Sequence, residues 1–173
     1  MLSKKLHEAI NAQINAEMWS AYLYLSMSVD AANKGHKGIS NWFAVQFKEE
    51  QAHAQIFINY LISRGCRVEL KAIDSVETSW DSPLAVFKAT LEHEKKVTSL
   101  IHNLYEIAIE DKDYASQSML KWFIDEQVEE EESAQDIIDE LERVGDNSLG
   151  LYMVDKDLST RTYTTPAPLA GKE

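Results

Sequence analysis

The chain has 173 residues, 45% hydrophobic and 27% charged, which is enough for one domain with a substantial core. Its formal net charge of −12 argues against nucleic acid as a partner, because phosphate binding needs a basic surface, and suits a protein that draws in cations. The single cysteine, Cys66, excludes an intramolecular disulfide and a cysteine-rich metal site. No apolar run approaches the roughly 20 residues that span a bilayer, so no membrane partner is expected. With no signal-peptide pattern at the N-terminus, the chain reads as cytoplasmic.

Few glycines and prolines favour long helices. Leu6, Ile10, Ile14, Ala21, Tyr24 and Leu25 step by three and four, predicting a first helix over about 4–33. The run Gly35-His36-Lys37-Gly38 breaks it, and so short a connection implies an antiparallel neighbour. A second helix is expected over about 39–64, stopping at Gly65. Residues 66–82 lack a helical stripe and read as a crossover. Extended, they reach ~56 Å, more than the ~39 Å length of the second helix. The third helix can therefore run parallel to the second. Ser82-Pro83 is an N-cap and first helical residue, opening a helix to about residue 110. After the turn 111–113, with Asp113 a cap, a fourth helix runs to Gly145. A short fifth helix over about 147–158 has to dock on something to be stable. The prediction is an all-α, antiparallel four-helix bundle with a long crossover between the second and third helices, occupying residues 1–158. Residues 159–173, with Pro166 and Pro168, read as a mobile tail.

Each long helix has its apolar seam interrupted near the middle. Glu17 interrupts the first, Glu50 and His53 the second, Glu94 the third, and Gln127 and Glu130 the fourth. Midpoints meet at the bundle centre whichever way the helices run. Glutamates gathered in an apolar centre cannot all stay free anions; they take up protons or bind cations. Carboxylates with one imidazole suit divalent iron, manganese or zinc. Two divalent ions, with Glu50 bridging them, would balance four carboxylates. Tyr24, two turns beyond Glu17, is placed to hydrogen-bond a ligand there.

The set Glu17, Glu50-x-x-His53, Glu94 and Gln127-x-x-Glu130, with the crossover and the fifth helix, resembles the ferritin-like superfamily and within it the bacterial non-haem ferritins. The match spans nearly the whole chain. That resemblance implies a hollow 24-subunit shell. It would oxidise Fe(II) with dioxygen or hydrogen peroxide and store Fe(III) as a hydrated oxide. It implies two irons per subunit: one at Glu17, Glu50 and His53, the other at Glu50, Glu94 and Glu130. Gln127 would interact weakly beside them. A third nearby iron position matches Glu49, Glu126 and Glu129, with Glu130 shared. Haem is not expected, because Gln51 stands where bacterioferritins carry a haem-ligating methionine, and no Met lies between Met27 and Met119.

Plainer readings apply residue by residue. Any one seam glutamate on its own is more simply a surface residue that snorkels to water. The run 129–132 is mostly a solvated face, with Glu131 and Glu132 needing no role. Tyr24 and Trp122 also fit as packing, Trp122 at a subunit contact. His7, His36, His93 and His102 read as exposed. Two other functions fit the bundle: a di-iron oxidoreductase acting on an organic substrate or peroxide, which needs no shell, and a metal-free structural bundle.

Overall fold

A computed structural model describes residues 2–171. It contains five helices: α1 Lys4–Asn33, α2 Lys37–Ser63, α3 Pro83–Glu110, α4 Tyr114–Val144 and α5 Ser148–Leu158. Side-chain caps fix where three of the long helices begin. The hydroxyls of Ser3 and Ser82 accept from the amides of Leu6 and Ala85, and the Asp113 carboxylate accepts from Ser116. Positive φ at Gly35 (85°) and Gly65 (67°) turns the chain at the ends of α1 and α2.

Pairing along the helices gives their directions. α1 packs on α2, and α3 on α4, as two hairpins. Arg64 at the end of α2 meets Asp113 at the start of α4, and Ser3 before α1 meets Asp111 beyond α3. α2 therefore runs antiparallel to α4 and parallel to α3. The crossover travels beside α1 in the same direction as that helix. Arg67 bonds His7, Glu69 bonds Asn11, Ser75 bonds Trp19, Glu77 bonds Ser26, and Trp80 bonds Asp30. This course returns the chain along the bundle, as its length allows.

The core falls into two apolar blocks. One, toward the start of α1, includes Leu6, Ile10, Phe57, Leu61, Ile101 and Phe123. The other, toward the end of α1, includes Met27, Trp42, Phe43, Phe87, Ile137 and Leu141. Between them lies the polar belt, whose buried members include Glu17, Glu50, His53, Glu94, Gln127 and Glu130.

One difference from the sequence reading concerns α2; of the expected tail 159–173, residues 172–173 lie outside the described residues. α2 begins at Lys37, so Gly38 lies inside its first turn and does not break it. A Cβ on Gly38 would collide with the backbone carbonyl of Asp155, so glycine is what lets α5 approach. The Asp155 side chain also accepts from the Ile39 amide (2.9 Å), and Val154 is buried against the bundle. After α5, the Asn41 amide donates to the carbonyls of Leu158 (3.3 Å) and Arg161 (2.9 Å). Farther on, Leu169 packs against the block that contains Phe57 and Leu61. Residues 159–169 thus lie back over the bundle.

Candidate metal centre

α1, α2, α3 and α4 each carry a glutamate inward on a face that is otherwise mainly apolar. Glu17, Glu50 and Glu94 are only 1–2% exposed. Glu17, Glu50 and His53 each offer a ligand atom within 4.8 Å of the others. A second trio, His53, Glu126 and Glu130, meets the same distance. His53 joins them: its Nδ1 is 3.6 Å from Glu50 and its Nε2 is 3.9 Å from Glu126.

The remaining acidic groups have their own partners. Glu94 lies in the same belt, one oxygen accepting a hydrogen bond from the Tyr24 hydroxyl and the other from the Gln127 amide (3.1 Å). Glu130 accepts from Gln46 (2.6 Å), and Glu49 from Arg161 (2.6 Å). Glu126 is half-buried and Glu129 is exposed. Of the residues proposed for a third position, Glu126 and Glu130 are brought within reach of one ion. Glu49 is held by a cation of the chain, and Glu129 stands in solvent.

Burial pushes the Glu17 carboxyl well above its ordinary range, and the Glu50 charge adds to the rise. Desolvation likewise raises Glu50, with Glu94 contributing, and Glu130, with Glu94 and Glu50 contributing. Glu94 rises by burial too, although Tyr24 and Gln127 hold it back. The Tyr24 hydroxyl is raised by its own burial and by Glu94, so it remains a proton donor. The belt is thus an environment where carboxylates keep protons unless a cation replaces them.

Two buried atoms here have no hydrogen-bond partner among the described residues: Glu17 Oε2 and His53 Nε2. Leaving such groups unpaired costs roughly 1–3 kcal/mol each. Both belong to residues of the two trios, and oxygen plus imidazole nitrogen is a donor set for a divalent transition metal. The residues present therefore fit a cation.

Several contributors were not singled out in the sequence. Gln13 donates to Glu17 (2.8 Å) one helical turn away, and Gln46 precedes Glu50 by the same spacing. An amide one turn before a seam glutamate was the available signal. His93 is half-buried, not exposed: its Nε2 bonds Ser20 (2.8 Å), and its ring packs on Trp19 and Tyr24. Burial lowers the His93 imidazole to about 4, helped by Lys96. His7 and His36 are also half-buried, whereas His102 is exposed. Trp122 lies edge-on to His53 with ring centres 5.6 Å apart, closing one side of the imidazole. Glu131, thought to need no role, accepts from Thr98 (2.6 Å), whose hydroxyl is in turn 3.3 Å from the Gln127 amide.

Comparison with known proteins places the chain in a family. Residues 7–144 match the model of the ferritin-like domain. The chain is 44% identical over 163 residues to a bacterial non-haem ferritin of Staphylococcus aureus, covering 94% of this chain and 98% of that one. It is 45% identical over 161 residues to a bacterial non-haem ferritin of Bacteroides fragilis, covering 93% and 100%. Among solved structures, an open pore ferritin from the hyperthermophilic archaeon Archaeoglobus fulgidus superposes with a TM-score of 0.93 at 47% identity, covering 94% of this chain and all of that one. An engineered closed form of the same archaeal ferritin gives 0.93 at 47% identity, covering 95% and 100%. With the matching domain spanning the bundle and these relatives spanning nearly the whole chain, the protein belongs to the ferritin family, and its kinship is with the bacterial non-haem ferritins.

Proposed function

We propose that this iron-storage protein oxidises its cargo at the belt: Fe(II) enters as substrate, is oxidised there, and is stored as Fe(III) oxide inside a 24-subunit shell in the cytoplasm. The observation that carries the reading is the pair of orphaned buried atoms, Glu17 Oε2 and His53 Nε2, in a belt of carboxylates raised by burial. Such a site lacks positive charge, and two Fe(II) ions supply it.

On this reading Glu17, Glu50 and His53 hold one iron, and Glu50, Glu94 and Glu130 hold the other. Glu94 would turn from Tyr24 toward the metal, leaving the Tyr24 hydroxyl and the Gln127 amide to hydrogen-bond ligands of the pair. Glu49, Glu126 and Glu129, with Glu130, form an outer position through which iron passes. Each Fe(II) gives up one electron. Two ions and two protons therefore reduce dioxygen to hydrogen peroxide, or peroxide to water. Burial of the belt keeps bulk water from competing for the ligands.

The test is to mix the metal-free protein with Fe(II) under argon and then expose it to dioxygen. A fast ferric absorbance phase should saturate at about two irons per chain. Saturation at no defined ratio would end the proposal. Negatively stained particles should be hollow spheres. Compact particles of a few chains would instead favour an oxidoreductase without storage.

A further inference from the structure

The segment after α5 carries a cation into the neighbourhood of the belt. The Arg161 guanidinium lies over the Trp42 ring, 4.4 Å from its centre. One of its nitrogens donates to the Trp42 carbonyl (3.3 Å) and to Gln46 Oε1 (2.7 Å). The other donates to Glu49 Oε2 (2.6 Å). Gln46 is fully buried and passes the contact on, its amide nitrogen donating to Glu130 Oε2 (2.6 Å). Because Arg161 takes the amide oxygen, the amide nitrogen is the end that faces Glu130. One guanidinium thus touches Glu49 directly and Glu130 through a single side chain. The Arg161 and Glu49 side chains are only 25% and 18% exposed, so solvent screens this pair less than a surface pair. The Arg161 charge counters the rise that burial imposes on Glu49.

We propose that Arg161 is a built-in counter-cation of the outer position, competing with a divalent ion for Glu49, so that docking of the segment after α5 and occupancy of that position oppose each other. The inference rests on Glu49 being an iron ligand, as read above. A guanidinium and a divalent ion repel across one carboxylate, which makes the outer position weaker than the pair. A weak outer position is one that iron can leave. The coupling is reciprocal: an ion that draws Glu49 away also loosens Arg161 from α2.

The experiment is calorimetric titration of the metal-free, assembled protein with Zn(II), which binds without redox chemistry. Wild type should show two tighter events per chain and a weaker third. In R161Q the third should tighten about tenfold while the first two stay within twofold. R161K keeps the charge without the fork and should remain near wild type. E49Q should remove the third event in both backgrounds. An unchanged or weakened third event in R161Q, or equal tightening in R161K, overturns the proposal. If R161Q does not assemble, R161M serves with the same expectations. Loss of the two tighter events from wild type itself would instead end the metal-centre reading on which this one stands.

Discussion

Two places where α2 meets α4 show opposite solutions to burying charge. At the end of the bundle, Arg64 forks onto Asp113 with contacts of 2.9 and 2.7 Å, and the same carboxylate caps α4. The Arg64 hydrogen bonds hold Asp113 well below the usual aspartate range, and the guanidinium is raised in turn. In the middle of the bundle the same two helices bring Glu50 and Glu130 together without an Arg or Lys bonded to either carboxylate among the described residues, Arg161 reaching Glu130 only through Gln46, and burial drives both carboxyls upward. One contact is complete within the chain. The other is left without such a partner and, on the function proposed above, is completed by metal ions.

The largest expected effect separates the two places by chemistry. Glu50→Gln or His53→Ala should slow the fast ferric phase about 100-fold, the usual scale for losing a group that holds a reacting centre. Asp113→Asn should leave that phase within about twofold of wild type. Stability should move the other way. With metal removed, Glu50→Gln should raise the denaturation midpoint at pH 7, because the amide is neutral without having to take up a proton on folding. A Glu50→Gln variant that keeps the fast phase would show that the belt is packing.

Next in size is the effect of cations. At a concentration about 1,000 times its dissociation constant, Zn(II) should stabilise the folded protein by about 4 kcal/mol. The pH dependence follows from the raised carboxyls. Their folded values exceed the unfolded ones, so stability they contribute when protonated is present at low pH and lost as pH rises through the folded values. Metal-free protein should therefore weaken as pH rises from the ordinary glutamate range through the raised folded values. Zn(II) should erase that slope and release protons as it binds, seen as a buffer-dependent heat. Uptake without proton release would place the ions elsewhere.

His93 gives a smaller effect in acid. Its imidazole sits at about 4 because α1 and the Trp19 and Tyr24 rings desolvate it. A folded value below the unfolded one means that stability is full above the unfolded range near 6.5 and falls as pH drops toward 4. The loss is up to about 3 kcal/mol. His93→Gln, which can still bond Ser20, should flatten the curve between pH 6.5 and 4. Superimposable wild-type and variant curves would show that His93 is solvated.

Much of this was legible because helix seams report their interruptions. Glu17, Glu50, His53, Glu94, Gln127 and Glu130 break apolar stripes whose periodicity was otherwise clear, and the crossover was evident from lost periodicity and its two-ended reach. What stayed hidden depends on residues far apart in sequence. Gly38 looked like a helix breaker because the carbonyl of Asp155 that needs the space belongs to α5. Arg161 lies in a Thr- and Pro-containing segment with no stripe to read, and its place over the Trp42 ring is set by contacts distant in sequence. His93 reads as exposed from the sequence because nothing on its own helix shows what covers it. The face it occupies is covered by Trp19 and Ser20 of α1.

The smallest predicted effect tests the completed contact. Asp113→Ala removes one partner of the Arg64 fork and the cap of α4 together. The Arg64 and Asp113 side chains are 21% and 13% exposed, so the fork is partly desolvated and its loss exceeds that of a surface pair. Cap and fork together should cost about 2 kcal/mol, read as a shift in denaturant midpoint. Arg64 would keep only the Tyr60 hydroxyl, which also bonds Ser116 at 2.6 Å, so the damage should stay at that end of the bundle. The pH behaviour is the reverse of the belt's. A folded value below the unfolded one makes the Asp113 contribution constant from neutrality down to the ordinary aspartate range, and it is lost only in stronger acid. The cost of Asp113→Ala should therefore be the same at pH 5 and pH 8, with or without Zn(II). A cost that varied with Zn(II) would mean that the end of the bundle and its middle are coupled, and that the two kinds of charge are not independent.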